Sequence, residues 1–126
     1  VREVLISSVA AGNNWIEATT VAATRPMTCV VTATVNLRTV NPPNAGAALV
    51  SVAKRKDAEA WSAKGIWSAF AAPHPVQLML FDYHASSTTQ IDMNAGETWA
   101  LGCAMESVSG GWVGLGGWCT TSWICH

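Results

Sequence analysis

The sequence predicts an all-β chain, an antiparallel β-sandwich of about eight to ten short strands in jelly-roll form. Three observations carry this. Several runs alternate apolar and polar residues with a period of two. Clusters of Gly, Pro, Asn and Asp punctuate those runs at short, even intervals. No segment reads as a helix in preference to a strand. The 126 residues are read as a single β-sandwich domain, 1–126, whose last part, 107–126, is uncharged and rich in Trp, Gly and Cys.

Taken in order, Val1 to Ser7 reads as a strand that ends before the Gly12-Asn13-Asn14 turn. Trp15 to Val21, rich in β-formers, is the next. After Arg25-Pro26, Met27, Cys29, Val31, Ala33, Val35 and Leu37 share one side of a long strand, opposite Thr28, Thr32, Thr34, Asn36 and Arg38. Asn41 to Gly46 is a loop, and Ala48 to Ala53 a strand leading into a basic turn at Lys54-Arg55-Lys56. Ala58 to Phe70 could be helical by its alanines, but Trp61, Ile66, Trp67 and Phe70 favour strands bent at Lys64-Gly65. Pro73-His74-Pro75 breaks the chain. Val76 to Tyr83 is apolar on both faces, which suits a strand covered on both sides or one that lends its second face to a subunit contact. Ala85 to Thr89 reads as a small polar turn. Ile91-Asp92-Met93, a turn at Asn94-Ala95-Gly96, and Thr98 to Glu106 then read as a strand pair. In its second member Trp99, Leu101, Cys103 and Met105 share the bulky face.

Composition narrows the function classes. Net charge is −1 and charged residues are 12%, about half the globular norm of roughly 25%. A nucleic-acid binder needs clustered Lys and Arg, and the one basic cluster is followed at once by Asp57 and Glu59. No apolar run approaches the roughly 18 to 20 residues that span a bilayer, and the start carries no signal-peptide pattern. The chain begins at Val1, without methionine, and is read as a processed product, a fragment or a renumbered piece. So low a surface charge is more usual where partners occupy the surface.

Cys29, Cys103, Cys119 and Cys125 form no C-x-x-C, and with the histidines give no zinc spacing. Cys119–Cys125, pinning the C-terminal tail, and Cys29–Cys103, joining across a core, are the two candidate bridges. Either implies an oxidising or extracellular setting.

Catalytic signatures are missing: no nucleophile elbow, no zincin helix, no phosphate loop and no dinucleotide fingerprint. The glycines at 114, 116 and 117 fit a bulge, a bend or close backbone packing. Asp82 and His84, two apart, could offer two metal ligands with His74 nearby, but ordinary surface explains them better. Asp57, Glu59, Asp92, Glu97 and Glu106 are the acids from which a glycosidase pair would be drawn, and several sit beside turns as solvent-facing charges. The reading is therefore not an enzyme, with no cofactor and no metal.

Tryptophan is the informative residue, with seven in the chain. Trp15, Trp61, Trp67 and Trp99 fall within expected strands and are read as core or inter-sheet packing. Trp112, Trp118 and Trp123 lie in the charge-free tail, as sugar platforms, protein-contact anchors or core. The lack of acids, amides and bases between Ser107 and Cys125 favours protein contact. The expected contact surface is Met79, Phe81 and Tyr83 with Trp112, Trp118 and Trp123.

The stretch Ile91-Asp92-Met93-Asn94-Ala95-Gly96-Glu97-Thr98-Trp99-Ala100-Leu101 resembles the strand–turn–strand of trimeric jelly-roll heads on virus and phage surfaces. That resemblance implies a homo-oligomer, a trimer above all, acting as a virion decoration, capsid-associated or fibre-head subunit on a larger shell or fibre. The alternative is a carbohydrate-binding module or lectin using the exposed tryptophans. Whether the tail stays in its own sheet or reaches a neighbour is open from the sequence.

Overall fold

The computed structural model describes residues 1–6, 8–9, 12–40, 46–72, 80–107 and 112–126; side chains at 8–9, 37–40, 46–49, 66–72, 80–83, 107 and 112–116 are outside the description. The described chain is all β: β1 (Arg2–Leu5), β2 (Ser8–Val9), β3 (Gly12–Ala22), β4 (Met27–Val40), β5 (Gly46–Lys56), β6 (Ser62–Ala72), β7 (Leu80–Met93), β8 (Thr98–Ser107) and β9 (Trp112–Cys125). Two antiparallel sheets pack face to face as a β-sandwich. One runs β1-β9-β4-β7, with β2 also paired to β9; the other runs β3-β8-β5-β6. Successive strands change sheet at every connection except β1 to β2 and β5 to β6.

The period-two patterns decide which side chains meet. In β4, Cys29, Val31, Ala33 and Val35 are fully buried, as their alternation predicts. They face Val50 and Val52 of β5 and Leu101, Cys103 and Met105 of β8 in one hydrophobic core, closed by Ile91 and Met93 of β7. Each aliphatic side chain so buried contributes about 1.5–3 kcal/mol before entropy is counted. Ser51, also fully buried, donates to the Lys64 carbonyl at 2.8 Å, so its hydroxyl is satisfied.

The expected Gly12-Asn13-Asn14 turn is instead the start of β3, paired with Ser107 to Met105 of β8, and three further local features come out differently. Ala85 to Thr89 is no turn but the middle of β7, paired residue for residue with Val35 to Val31 of β4. Small polar residues suit a strand with one face open to water, so Ala85 and Ser87 turn inward while Ser86 and Thr88 are exposed. The strands on either side of Asn94-Ala95-Gly96 are not a pair: β7 belongs to the β4 sheet and β8 lies between β3 and β5 in the other. That turn crosses the sandwich, with Gly96 at φ 86, and is stitched to the β3–β4 connection by Gly96 N to Ala23 O at 2.7 Å and Ala23 N to Glu97 O at 2.8 Å. Finally, Lys54-Arg55-Lys56 is not a turn but the end of β5. The turn follows it, with Asp57 at φ 50 and hydrogen-bonded in both directions to Thr98.

The bend expected at Lys64-Gly65 coincides with a break in the β5–β6 register between Val50 and Val52. Gly65 has φ 101, and a Cβ there would come within 3.1 Å of Ser87 and Thr89 on β7. Here β6 leans against the other sheet. The loop expected at Asn41 to Gly46 and the chain break at Pro73 to Pro75 fall on residues almost wholly outside the description.

The cysteines form neither candidate bridge. Cys29 is joined to Cys125 and Cys103 to Cys119. Cys119 and Cys125 lie on one extended strand, six residues or roughly 20 Å apart, far beyond disulfide reach. Cys125 instead sits directly opposite Cys29 in the β4–β9 register, with Cα atoms 4.0 Å apart. Cys103 contacts the Thr34 carbonyl, well along β4 from Cys29, and bonds across the core to Cys119 of β9. One bridge therefore locks two strands within a sheet and the other locks the two sheets together. Two disulfides mark a fold suited to a non-reducing, extracellular-type setting. Among the described residues no helix is long and apolar enough to cross a membrane.

Candidate functional site

The tail is a strand of its own sheet. β9 lies between β1 and β4 and pairs with both, and the pairing continues to the last residue through His126 N to Thr28 O at 2.9 Å. Its freedom from charge follows from this position. One edge and the other are hydrogen-bonded, and Gly117, Cys119 and Thr121 are buried on the inner face. At Gly114 and Gly116 the β4–β9 register shifts by one residue, as glycines in a strand often permit.

The outer face of β9, β4 and β7 is the most unusual surface described. Reading across the strands, Thr120, Thr34 and Ser86 form one row, and Ser122, Thr32 and Thr88 the next. Thr32 and Thr88 hydroxyls are 2.8 Å apart. Beyond one end of this hydroxyl band, Ile124 lies opposite Val30, and beyond the other, Trp118 lies opposite Leu5 of β1. All four are exposed, Trp118 by 46% and Ile124 by 68%. Carboxylates lie at the margins: Glu3 on β1, which accepts from Thr120 at 3.4 Å, and Asp92 at the end of β7, which accepts from Thr28 at 2.8 Å. Among the described side chains, the middle of this face is polar and uncharged and both of its ends are apolar.

Of the six residues expected to form a contact surface, only Trp118 and Trp123 have described side chains, and these two do not share a face. Trp118 is outward, whereas Trp123, five positions on, is half-buried and packs on the core, so the two stand on opposite faces of β9. Phe81 and Tyr83 pair with Thr39 and Leu37 of β4, and Trp112 with Val9 of β2; their side chains, and all of Met79, are outside the described residues.

A second cluster, on the outer face of the other sheet, escaped the sequence reading. Trp15 of β3 and Trp61, just before β6, stack with ring centroids 6.4 Å apart and planes 8° from parallel. Arg55 of β5 lies 5.0 Å over the Trp61 ring and 3.7 Å from the Glu17 carboxylate. Neither indole belongs to the hydrophobic core. Their strand positions suggested burial, but the sheet's outer rows place Trp15 beside Ala104 and Glu17 beside Gly102 of β8. The readable signal was the small outward series Ala100, Gly102 and Ala104, which long neighbours must cover if it is to be buried. Ala100 and Ala104 are indeed buried, as are Ser51 and Ala53 of β5.

Three of the five acids considered for catalysis are engaged structurally. Asp57 accepts from Thr98 N and Asp92 from Thr28. Glu97 accepts from Trp99 Nε1 at 2.8 Å and Asn94 Nδ2 at 2.9 Å, with Lys56 Nζ at 3.8 Å. The Trp99 bond above all, with help from Asn94 and Lys56, holds the Glu97 carboxyl below its usual range. His84 is exposed beside Asn36, and Asp82 and His74 lie outside the described side chains. Among the described residues no group of His, Cys, Asp and Glu could hold a metal ion. No protein-family model matches the chain, and no curated protein matches its sequence.

Proposed function

We propose that the chain is a non-enzymatic structural subunit that assembles with copies of itself through the outer face of β9, β4 and β7. The single observation behind this is the outer face, uncharged at its centre among the described side chains, with Trp118 and Leu5 at one end and Val30 and Ile124 at the other. Exposed aliphatic and indole surface on a sheet gains free energy when covered, and Trp is a favoured anchor in protein contacts. A second copy is the fitting occupant, because a face without charge in its centre does not repel itself. A two-fold axis lying in this face and across the strands would set each Trp118 end on the other copy's Ile124 end. The face measures roughly 15 by 25 Å, or about 750 Å² over two copies, the range of weak, transient contacts, so an association that reverses on dilution is expected.

The sheet orders β1-β9-β4-β7 and β3-β8-β5-β6, with strands crossing between sheets, support the jelly-roll form within the sandwich. Jelly rolls serve in capsids and lectins. With the disulfides, this favours a subunit of an extracellular particle, such as a virion decoration, capsid-associated or fibre-head protein.

The test is Trp118→Ala, with self-association followed by sedimentation equilibrium. Loss of a Trp anchor costs about 2 kcal/mol, or roughly thirtyfold in the association constant. Far-ultraviolet circular dichroism should not change, since Trp118 lies outside the core. An association constant equal to the wild type's would remove this face from the assembly.

A further inference from the structure

We propose that Trp15 and Trp61, with Arg55 and Glu17, form a saccharide-binding site on the outer face of the β3-β8-β5-β6 sheet. The site owes nothing to the assembly face, which lies on the other sheet.

The geometry supplies both halves of sugar recognition. With ring planes about 3.5 Å apart, a centroid separation of 6.4 Å offsets the two indoles by roughly 5 Å. Near-parallel rings offset in this way make a stepped apolar platform, not a closed stack. Trp15 is 36% exposed, so part of its surface remains open to the apolar face of a pyranose ring. Beside the platform stand a guanidinium and a carboxylate, each more than a third exposed at the side chain and joined by one loose contact of 3.7 Å. They offer donors and acceptors to ring hydroxyls without first breaking a tight bidentate pair.

A plain covering role for these side chains explains less. Shielding Ala100, Ala104, Ser51 and Ala53 needs bulk, and a leucine or valine would supply it without a cation. Instead Arg55 is held over Trp61 with its Nε buried and lacking a hydrogen-bond partner among the described residues. Such a group lowers stability, and its retention over the half-buried Trp61 indole, next to the exposed Trp15, fits a surface kept for a ligand. The register irregularity at Glu17 and Thr19 re-aims this end of β3, as bulges beside binding sites do.

The experiment titrates the full chain with glucose, galactose, mannose, N-acetylglucosamine and oligomers of each, to millimolar concentration. Saturation-transfer NMR on the sugar and Trp fluorescence are the readouts. At least one sugar should give a saturable response in both. Trp15→Ala should weaken it roughly tenfold or more, and Glu17→Gln should weaken it while keeping side-chain shape. Trp118→Ala should bind as the wild type does. Trp15 is exposed, so its removal leaves the core intact, and circular dichroism checks this. Absence of a saturable response to every sugar would overturn the assignment. So would binding that survives both Trp15→Ala and Glu17→Gln.

Discussion

Two residues show most clearly how single atoms constrain this fold. A Cβ on Gly102 would overlap the Ile16 carbonyl oxygen and stand 2.8 Å from its carbon, both backbone atoms of the neighbouring β3. Backbone cannot rotate aside as a side chain can. Gly102→Ala therefore forces β3 away from β8 where its register already shifts, and we expect a loss of about 3 kcal/mol in urea unfolding. Glu97 illustrates charge. Its carboxyl titrates below the usual range in the folded chain, because Trp99 and Asn94 donate to the ionised form and Lys56 stands nearby. The unfolded chain then binds the extra proton first as pH falls. The Glu97 contribution is thus fully present above its ordinary value of 4.5 and fades as pH drops through the lower folded value. Glu97→Gln should flatten the acid side of the thermal-stability profile between 4.5 and the lower folded value and leave its slope at neutral pH unchanged. An equally steep acid limb in the variant would show that the turn does not depend on this charge.

At the scale of elements, β9 and its two disulfides organise the sandwich. Cys29–Cys125 closes a separation of 96 residues and Cys103–Cys119 one of 16. In the chain-entropy account these correspond to roughly 4.5 and 3 kcal/mol taken from the unfolded state, though the loops overlap and the two do not add. Cys103 and Cys119 are both fully buried, whereas Cys125 is half-exposed near the chain end. Mild reductant under native conditions should therefore open Cys29–Cys125 first, as read by alkylation and peptide mass. Equal labelling of all four cysteines from the start would contradict that order. The sequence showed β4 and β8 plainly, because their inner rows are apolar and their outer rows are polar or small. It concealed the pairing of the cysteines, since opposition across strands depends on a register no local pattern reveals. It also hid the middle of β7: Ser86, Ser87, Thr88 and Thr89 have turn chemistry, and their long-range pairing with β4 overrides it. Trp15 and Trp61 looked like core because indoles in strands usually are, and their outward placement depends on the parity of β3 against β8.

The whole molecule is a plate with two different outer surfaces. Among the described side chains, one is uncharged at its centre, banded with hydroxyls and apolar at its ends; the other carries paired indoles with a cation and an acid. If copies join through the first, the second points outward from each, and weak sites gain avidity without any new contact. Self-association through the first surface is the central claim. Its most direct test is the native mass of the unmodified chain, by sedimentation velocity across a dilution series from millimolar to submicromolar. We expect a discrete oligomer at high concentration that dissociates on dilution. A monomer that persists at the highest concentration would contradict the assembly account.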